Sequence, residues 1–279
     1  MNHSVPQSIS SFERSTAHRA ATWFGKIGYS AKAFLYATLG WLAIQSAVGA
    51  NSGKIDPRAA LQWLVENSFG KILTAALLIG LAAYALYRFS CALFNFEQND
   101  DDTIGVARRI GYFATGLVYA ALAFFCGKLL AGNGGNSNSS ISDRTEMFMA
   151  HPAGRIALGL IAIGILCAAF AQAKRAWTGE YKERFENSEL PGRTEKFVNF
   201  SAKFGLYSRA VIFAILGVFA GIAALFAQPS SAGGMNRAFS FLESAKFGTT
   251  LFAVIAAGFI AYSIYAAVIA WCGNFGRER

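Results

Sequence analysis

Residues 26–29 read Lys-Ile-Gly-Tyr, and the phrase returns as Arg-Ile-Gly-Tyr at 109–112 and as Lys-Phe-Gly-Leu at 203–206. Each copy opens a long apolar stretch, and a second glycine-led apolar stretch begins 42 or 43 residues after the glycine of the phrase. Because a fixed period is the signature of repeated supersecondary units, the chain is predicted to contain three copies of a two-element unit. The second stretches begin at Gly70, Gly154 and Gly248, and a further glycine follows ten residues later in each, at Gly80, Gly164 and Gly258.

The apolar stretches are long enough to cross a membrane. Hydrophobic residues make up 54% of the chain and charged residues only 15%, whereas soluble domains carry about 25% charged residues. Six nearly uncharged segments reach the length of about 20 residues that a helix needs to span the hydrocarbon core. A soluble helical core would leave these segments too little amphipathic surface. We therefore predict an all-α integral membrane protein with six transmembrane helices, built from three tandem two-helix repeats around a pseudo-threefold axis. The segments are roughly 27–49, 69–93, 107–131, 154–173, 204–227 and 247–272.

The basic residues predict the orientation in the membrane. Of the 25 lysines and arginines, 17 fall on the side that holds the two termini and the loops after the second and fourth segments. The positive-inside rule places this side in the cytoplasm, which predicts a bacterial inner-membrane protein with both termini cytoplasmic. The net charge of +9 is thus mainly a topology signal, with attraction to anionic headgroups as a second consequence. Nucleic-acid binding is not indicated, because the basic residues are scattered and mixed with acids.

The chain divides along the repeats. We predict a flexible cytoplasmic tail over 1–22, the first repeat over 23–96, the second over 103–178 and the third over 200–273. A cytoplasmic loop over 179–199 separates the last two repeats, and 274–279 form a cytoplasmic C-terminus. Each outer loop contains an amphipathic piece that is predicted to be a short interfacial helix. These pieces start at Asp56-Pro57 and lie within 143–149 and 236–242.

No catalytic constellation is visible in the sequence. All 16 Asp and Glu residues fall in tails or loops or close to a segment end, so a carboxylate-based proton relay has no carrier. The three histidines are dispersed, the four cysteines lack a metal-like or redox spacing, and Asp100–Asp102 lack the spacing of a calcium loop. The sequence therefore predicts a protein that is not an enzyme and has no metal or other cofactor.

One repeat-equivalent position does point to a binding site. Four residues after the glycine of each phrase come Lys32, Thr115 and Arg209, about 6 Å into the membrane at a helical rise of about 1.5 Å per residue. Another turn on are Tyr36, Tyr119 and Phe213, each on the same helix face. If the three first spans converge, a basic ring below an aromatic ring could hold an anionic headgroup or a small anion. The alternative is that Lys32 and Arg209 snorkel to lipid phosphates while the tyrosines pack between helices.

The second spans carry a pair of tyrosines that the middle repeat lacks. Tyr84 and Tyr87 in the first repeat match Tyr262 and Tyr265 in the third, and the pattern is typical of an aromatic belt at the cytoplasmic interface. In the second repeat the equivalent residues are Ala168 and Ala171. This break in the repeat indicates either a lateral opening or a tightly packed helix, and the sequence favours tight packing.

The combined motif resembles a known family. A basic residue with Ile-Gly-Tyr, a tyrosine eight residues after that glycine, and a Phe-Gly-led span ending in Tyr-x-x-Tyr-Arg resemble the bacterial membrane family catalogued as domain-of-unknown-function 1206. The resemblance covers residues about 23–273 and implies three tandem two-span units in a bacterial membrane. It implies no particular activity. It rests on Gly28-Tyr29, Tyr36, Gly40-Trp41, Phe69-Gly70, Gly80, Tyr84 and Tyr87-Arg88, on Gly111-Tyr112, Gly116, Tyr119, Pro152, Gly154 and Gly164, and on Gly205, Arg209, Phe247-Gly248, Gly258 and Tyr262.

These patterns leave three hypotheses for function. The first is a non-enzymatic scaffold or a protein that binds lipid or small molecules, with membrane lipids, notably anionic headgroups, as partners. A second copy of the chain or another membrane protein is a further candidate partner. The second hypothesis is a passive channel or permease for small anions or neutral solutes. The third, an enzyme that acts on lipid, lacks a catalytic cluster in the sequence.

Overall fold

A computed structural model describes residues 7–47, 57–66, 69–94, 103–132, 151–184, 191–226, 238, 241 and 248–273, with 7–21 as helical backbone only. All regular structure in these ranges is helical. The helices are α1 (Gln7–Ala47), α2 (Pro57–Val65), α3 (Gly70–Phe94), α4 (Thr103–Leu130), α5 (Pro152–Thr178), α6 (Gly192–Phe226) and α7 (Gly248–Cys272), with a short 3-10 helix, Glu180–Arg184, between α5 and α6.

Five helices of the described chain are long and apolar enough to cross a membrane, namely α3, α4, α5, α6 and α7. The chain is therefore a multi-pass all-α membrane protein, as predicted. The sixth predicted span is α1, which does not reach the same hydropathy. Lys32 and Thr38 within this helix are buried against protein, and the sixth span stays a prediction.

Helix α1 lies at the centre of the bundle. It packs between α3 and α7, while α4 lies against α3 and α6 lies against α7. Helix α5 packs on α6. Leu39 of α1, Leu81 of α3 and Phe259 of α7 are almost completely buried in the shared core. The helices thus form the order α4, α3, α1, α7, α6, α5, and α1 is covered on two sides by other helices.

Two arginines tie neighbouring helices together at their ends. Arg109 of α4 donates from Nε to the carbonyl of Ala92 at 2.9 Å, at the end of α3. Arg155 of α5 donates to the carbonyls of Ala224 and Leu225 at 3.3 to 3.4 Å, at the end of α6. The last carbonyls of a helix have no intrahelical partner, and a cation there also complements the helix dipole. These contacts fix the axial position of α4 relative to α3 and of α5 relative to α6.

The helix bounds differ from the predicted domain limits in two places. Helix α1 begins at Gln7, so the described part of the predicted tail over 1–22 is helical backbone. Helix α6 begins at Gly192, inside the predicted loop 179–199. Pro191 supplies its first carbonyl, which accepts from the Glu195 amide at 3.0 Å, and an acidic residue suits the first turn. At the other end of that loop, α5 ends at Thr178 and is capped by Gly179, whose φ of 82° favours glycine.

The first outer loop contains the predicted short helix. Helix α2 begins at Pro57, where a missing amide hydrogen costs nothing. Ala60, Leu61 and Leu64 are buried, and the helix packs against α1, α3 and α4. The other two predicted interfacial helices fall almost entirely outside the described residues, apart from the helical positions 238 and 241.

Candidate functional site

Three cations are buried inside the bundle. Lys32 of α1, Arg88 of α3 and Arg209 of α6 are 5%, 6% and 7% exposed. Cations at membrane depth are costly to keep, so they normally face the protein interior and mark a functional pathway or site. Together with five surrounding tyrosines they form what we term the cation–tyrosine cluster, which consists of Lys32, Arg88, Arg209, Tyr29, Tyr36, Tyr84, Tyr119 and Tyr262.

The hydroxyl of Tyr84 accepts hydrogen bonds from two of the cations. Lys32 donates from Nζ at 3.2 Å, and Arg88 donates from Nε at 2.9 Å. A terminal nitrogen of Arg88 also donates to the hydroxyl of Tyr29 at 3.1 Å. The fork of the guanidinium therefore joins α3 to α1, and the tyrosine hydroxyls replace part of the water that the two cations lose.

Lys32 is surrounded by aromatic rings. Its Nζ lies 5.2 Å from the ring centre of Tyr29, 4.9 Å from that of Tyr84 and 5.7 Å from that of Tyr119. The ring of Tyr262 is 5.3 Å away. A desolvated cation gains about 2 kcal/mol from such an aromatic face. Four rings from four helices thus hold the ammonium group in the interior.

Arg209 occupies the other side of the cluster. Its guanidinium carbon lies 4.2 Å from the ring centre of Tyr262, 5.0 Å from that of Tyr36 and 5.2 Å from that of Phe213. When the Gln172 amide is oriented with its oxygen toward Arg209, that oxygen accepts from both terminal nitrogens at 3.1 and 3.3 Å. The Nε atom is buried and has no hydrogen-bond partner among the described residues.

The tyrosines also contact one another and so join the two sides of the cluster. The rings of Tyr36 and Tyr262 meet edge to face at 4.7 Å between centres, and those of Tyr84 and Tyr119 do so at 4.6 Å. Tyr29 and Tyr84 form a third edge-to-face pair at 5.3 Å. Edge-to-face pairs are favourable arrangements of aromatic quadrupoles. The cluster is therefore a continuous aromatic structure that contains three cations.

No carboxylate belongs to the helical segments around the cluster. The sequence has no Asp or Glu over 22–47, 70–94, 103–130, 152–178, 196–226 or 248–272. Over the ranges that the structure describes, no group of three His, Cys, Asp or Glu side chains could hold a metal ion. Within the described helices, the charged side chains of the cluster are therefore all cationic.

The structure brings together four of the five predicted site residues. Lys32, Tyr36, Tyr119 and Arg209 all belong to the cluster, and all are buried. Lys32 and Arg209 thus face protein, which disagrees with the alternative that they snorkel to lipid phosphates. Thr115 differs: it is half-buried, and its hydroxyl donates to the carbonyl of Gly111 one turn earlier, at 2.7 Å.

The prediction of an aromatic belt was wrong. Tyr84, Tyr87, Tyr262 and Tyr265 are all at most 5% exposed, because they lie inside the bundle, where Tyr84 contacts Tyr29 and Tyr262 contacts Tyr36. Sequence reasoning also missed Arg88, Tyr29 and Gln172 as members or neighbours of the cluster. A signal existed for two of them, since Arg88 and Gln172 occupy the same place in their repeats, eight residues after Gly80 and Gly164.

Comparison with known proteins agrees with the repeat. Residues 27–95, 110–179 and 204–273 each match the family model described as Domain of Unknown Function (DUF1206). An uncharacterized protein YxxB of Bacillus subtilis (strain 168) is 28% identical over 243 residues, which is 87% of this chain and 88% of that protein. No solved structure shows a significant match. Each matched stretch covers one copy of the repeat, and the three together account for most of the chain, which therefore belongs to the DUF1206 family.

Proposed function

We propose that the protein is a non-enzymatic binding protein for an oxyanion, and that Arg209 is the residue that binds it. The single observation that carries this proposal is the Nε of Arg209, which is buried without a hydrogen-bond partner among the described residues. A buried donor without a partner costs about 1–3 kcal/mol. An oxyanion that accepts from this nitrogen would remove that cost and add a charge-assisted bond.

The surroundings of Arg209 support an anionic ligand. Its described neighbours are the aromatic rings of Tyr36, Phe213 and Tyr262 and the neutral amide of Gln172. Lys32 shares the ring of Tyr262 with it. A phosphate or carboxylate group would therefore meet two cations and no competing carboxylate from the adjacent helical segments.

In the proposed arrangement α1 is the sixth span and packs between α3 and α7. Both termini are on the cytoplasmic side of the bacterial inner membrane, and the cluster lies in the cytoplasmic half. The ligand is the anionic group of a membrane lipid or a small soluble anion. The protein holds this ligand without converting it, because the cluster consists of cationic side chains and tyrosine phenols and includes no carboxylate or histidine that could act as a base.

The test uses the full chain in detergent and native mass spectrometry after incubation with phosphatidylglycerol or with phosphatidylcholine. We expect the wild type to retain phosphatidylglycerol and Arg209→Gln to lose it, with Arg209→Lys retaining an intermediate amount. Arg155→Gln is the matched control, because it removes an arginine that contacts α6 far from the cluster, and it should retain the lipid.

Circular dichroism and size exclusion establish that the variants are folded. Competition with inorganic phosphate separates the two sources of the anion: displacement of lipid by phosphate indicates a site for the free ion. If neither phosphatidylglycerol nor inorganic phosphate binds the wild type, the proposed function is wrong. It is equally wrong if Arg209→Gln and Arg155→Gln retain the same amount of ligand.

A further inference from the structure

The two spans of the first and third repeats are locked together at the repeat glycines. A Cβ atom on Gly28 would lie 2.5 Å from Cβ of Tyr84, and one on Gly205 would lie 2.6 Å from Cβ of Tyr262. Such distances are below those of real contacts, so only glycine allows the tyrosine-bearing helix to approach this closely. One turn earlier along these second spans, Gly80 meets Ala31 and Gly258 meets Ser208 in the same way.

The second repeat lacks this contact. A Cβ atom on Gly111 of α4 or on Gly164 of α5 would meet no described atom within 4 Å. The residue equivalent to Tyr84 and Tyr262 is Ala168, which has no ring to place over Gly111. Helices α4 and α5 therefore stand apart over the described part of the repeat. The expected tight packing is found on the other side of α5, which packs against α6, and not between α4 and α5.

The exposed surfaces of both helices are apolar. On α4, Leu117 and Val118 are 52% and 59% exposed, and on α5, Leu160 and Ile161 are 65% and 52% exposed. Within a bilayer such side chains contact acyl chains. A hydrocarbon tail could therefore lie against the exposed side chains of either helix.

Each of the two helices also has one face that reaches the cation–tyrosine cluster. On α4, Gly111, Thr115 and Tyr119 follow at intervals of four residues and so share one face, and Tyr119 contacts Tyr84 and Lys32. On α5, the same spacing joins Ala168 to Gln172, whose oxygen meets Arg209. A molecule that enters between α4 and α5 would thus have its tail against apolar side chains and its head near two buried cations.

We propose that the gap between α4 and α5 is a lateral doorway through which an anionic membrane lipid brings its headgroup to Arg209. This inference rests on the proposed function. It names the ligand as a lipid of the leaflet that borders the N-terminal end of α4. An anionic amphiphile fits both parts of the site, since the doorway is apolar and its inner end is cationic. A zwitterionic lipid would bring a positively charged ammonium group toward the cations Lys32 and Arg209. A free anion would gain no favourable contact from an apolar entrance.

The test restores the missing tyrosine. Ala168→Tyr places on α5 the ring that Tyr84 and Tyr262 supply in the other repeats, and we expect it to pack over Gly111 and close the doorway. Ile163→Tyr is the matched control, because it adds the same ring to α5 at a position that is 59% exposed and has no tyrosine counterpart. The full chain is reconstituted in vesicles of phosphatidylglycerol and phosphatidylcholine, extracted, and examined for retained lipid.

We expect Ala168→Tyr to lose most of the phosphatidylglycerol that the wild type and Ile163→Tyr retain. Gly111→Leu fills the same gap from α4 and provides a second closing variant, should Ala168→Tyr fail to fold. If both closing variants retain phosphatidylglycerol as the wild type does, the proposal of a lateral doorway is wrong, and the proposed binding function is not affected. If the wild type binds inorganic phosphate and no lipid, the lipid ligand is wrong. If it binds neither, the proposed function itself fails.

Discussion

The ring of Tyr262 lies 4.2 Å from the guanidinium carbon of Arg209 and 5.3 Å from the ammonium nitrogen of Lys32, so one tyrosine of α7 contacts two buried cations. Tyr84, its repeat counterpart on α3, contacts Lys32 and Arg88 in the same way. The two tyrosines that lock the first and third repeats at Gly28 and Gly205 are thus also the ones that connect the cations. Packing of the repeats and assembly of the site depend on the same residues.

The repeat glycines should respond differently to alanine. Gly28→Ala and Gly205→Ala place a Cβ atom against Tyr84 and Tyr262, and overpacking of this kind costs about 1–3 kcal/mol. Gly111→Ala has no described neighbour within 4 Å, so it should leave stability unchanged or raise it slightly through helix propensity. The apparent Tm in detergent, followed by intrinsic fluorescence, checks this. Equal loss of Tm in all three variants would contradict the asymmetry between the repeats.

The hydrogen bond from Arg88 to Tyr29 should appear as a coupling energy. Arg88→Lys removes the planar fork, and Tyr29→Phe removes the hydroxyl that accepts from it at 3.1 Å. Residues in direct contact show coupling of about 0.5–3 kcal/mol in a double-mutant cycle. Unfolding in a denaturing detergent measures the four proteins of the cycle. Arg88→Lys combined with Tyr36→Phe is the control and should show additivity, because the described contacts of Tyr36 are to Arg209, Phe259 and Tyr262.

Cysteine pairs should distinguish the open repeat from a closed one. Gly205→Cys with Tyr262→Cys brings two Cβ atoms to the contact distance of the third repeat, and a small relaxation reaches the spacing of about 3.8 Å that a disulfide requires. Gly111→Cys with Ala168→Cys occupies the equivalent places in the second repeat. With the native cysteines replaced by alanine, we expect oxidant to cross-link the first pair and to leave the second pair reduced. Efficient cross-linking of 111 to 168 would show that α4 and α5 are in contact.

We expect the phenol of Tyr181 to titrate at a higher pH than that of an ordinary tyrosine. It lies in the 3-10 helix after α5, where its carbonyl accepts from the Tyr265 hydroxyl at 3.4 Å, and burial, with a smaller effect of Tyr207, raises the pKa of its phenol. A raised pKa in the folded state means that this phenol contributes stability below about pH 10, its unfolded value. That contribution is lost as the pH rises toward the folded pKa.

The measurement is tyrosinate absorbance of the wild type minus that of Tyr181→Phe, both in detergent. The difference should show a single titration with a midpoint above about 10. A midpoint at or below that value would contradict the burial of Tyr181 against α7. Tyr207→Phe serves as the control, since it should shift this midpoint only slightly downward.

Part of the candidate site was predictable because it follows the repeat. Lys32 and Arg209 stand four residues after a repeat glycine, and the helical period then places Tyr36 and Tyr119 one turn deeper on the same face. Arg88 was not found in this way, because a basic residue near the end of a span normally reaches toward water or lipid phosphates. Only the approach of α3 to α1, which Gly28 allows, turns Arg88 toward the hydroxyls of Tyr29 and Tyr84.

The sequence by itself determined the class of protein, the three repeats and the placement of the helices along the chain, because apolar length and periodicity depend only on local composition. The tertiary structure decided how the repeats pack. It buried the tyrosines of α3 and α7 that composition would place at the interface, and it gathered Lys32, Arg88 and Arg209 from three distant segments. It also left α4 apart from α5. The physical reason is that a glycine allows close approach only when the opposite helix supplies a side chain to fill the contact, and Ala168 does not.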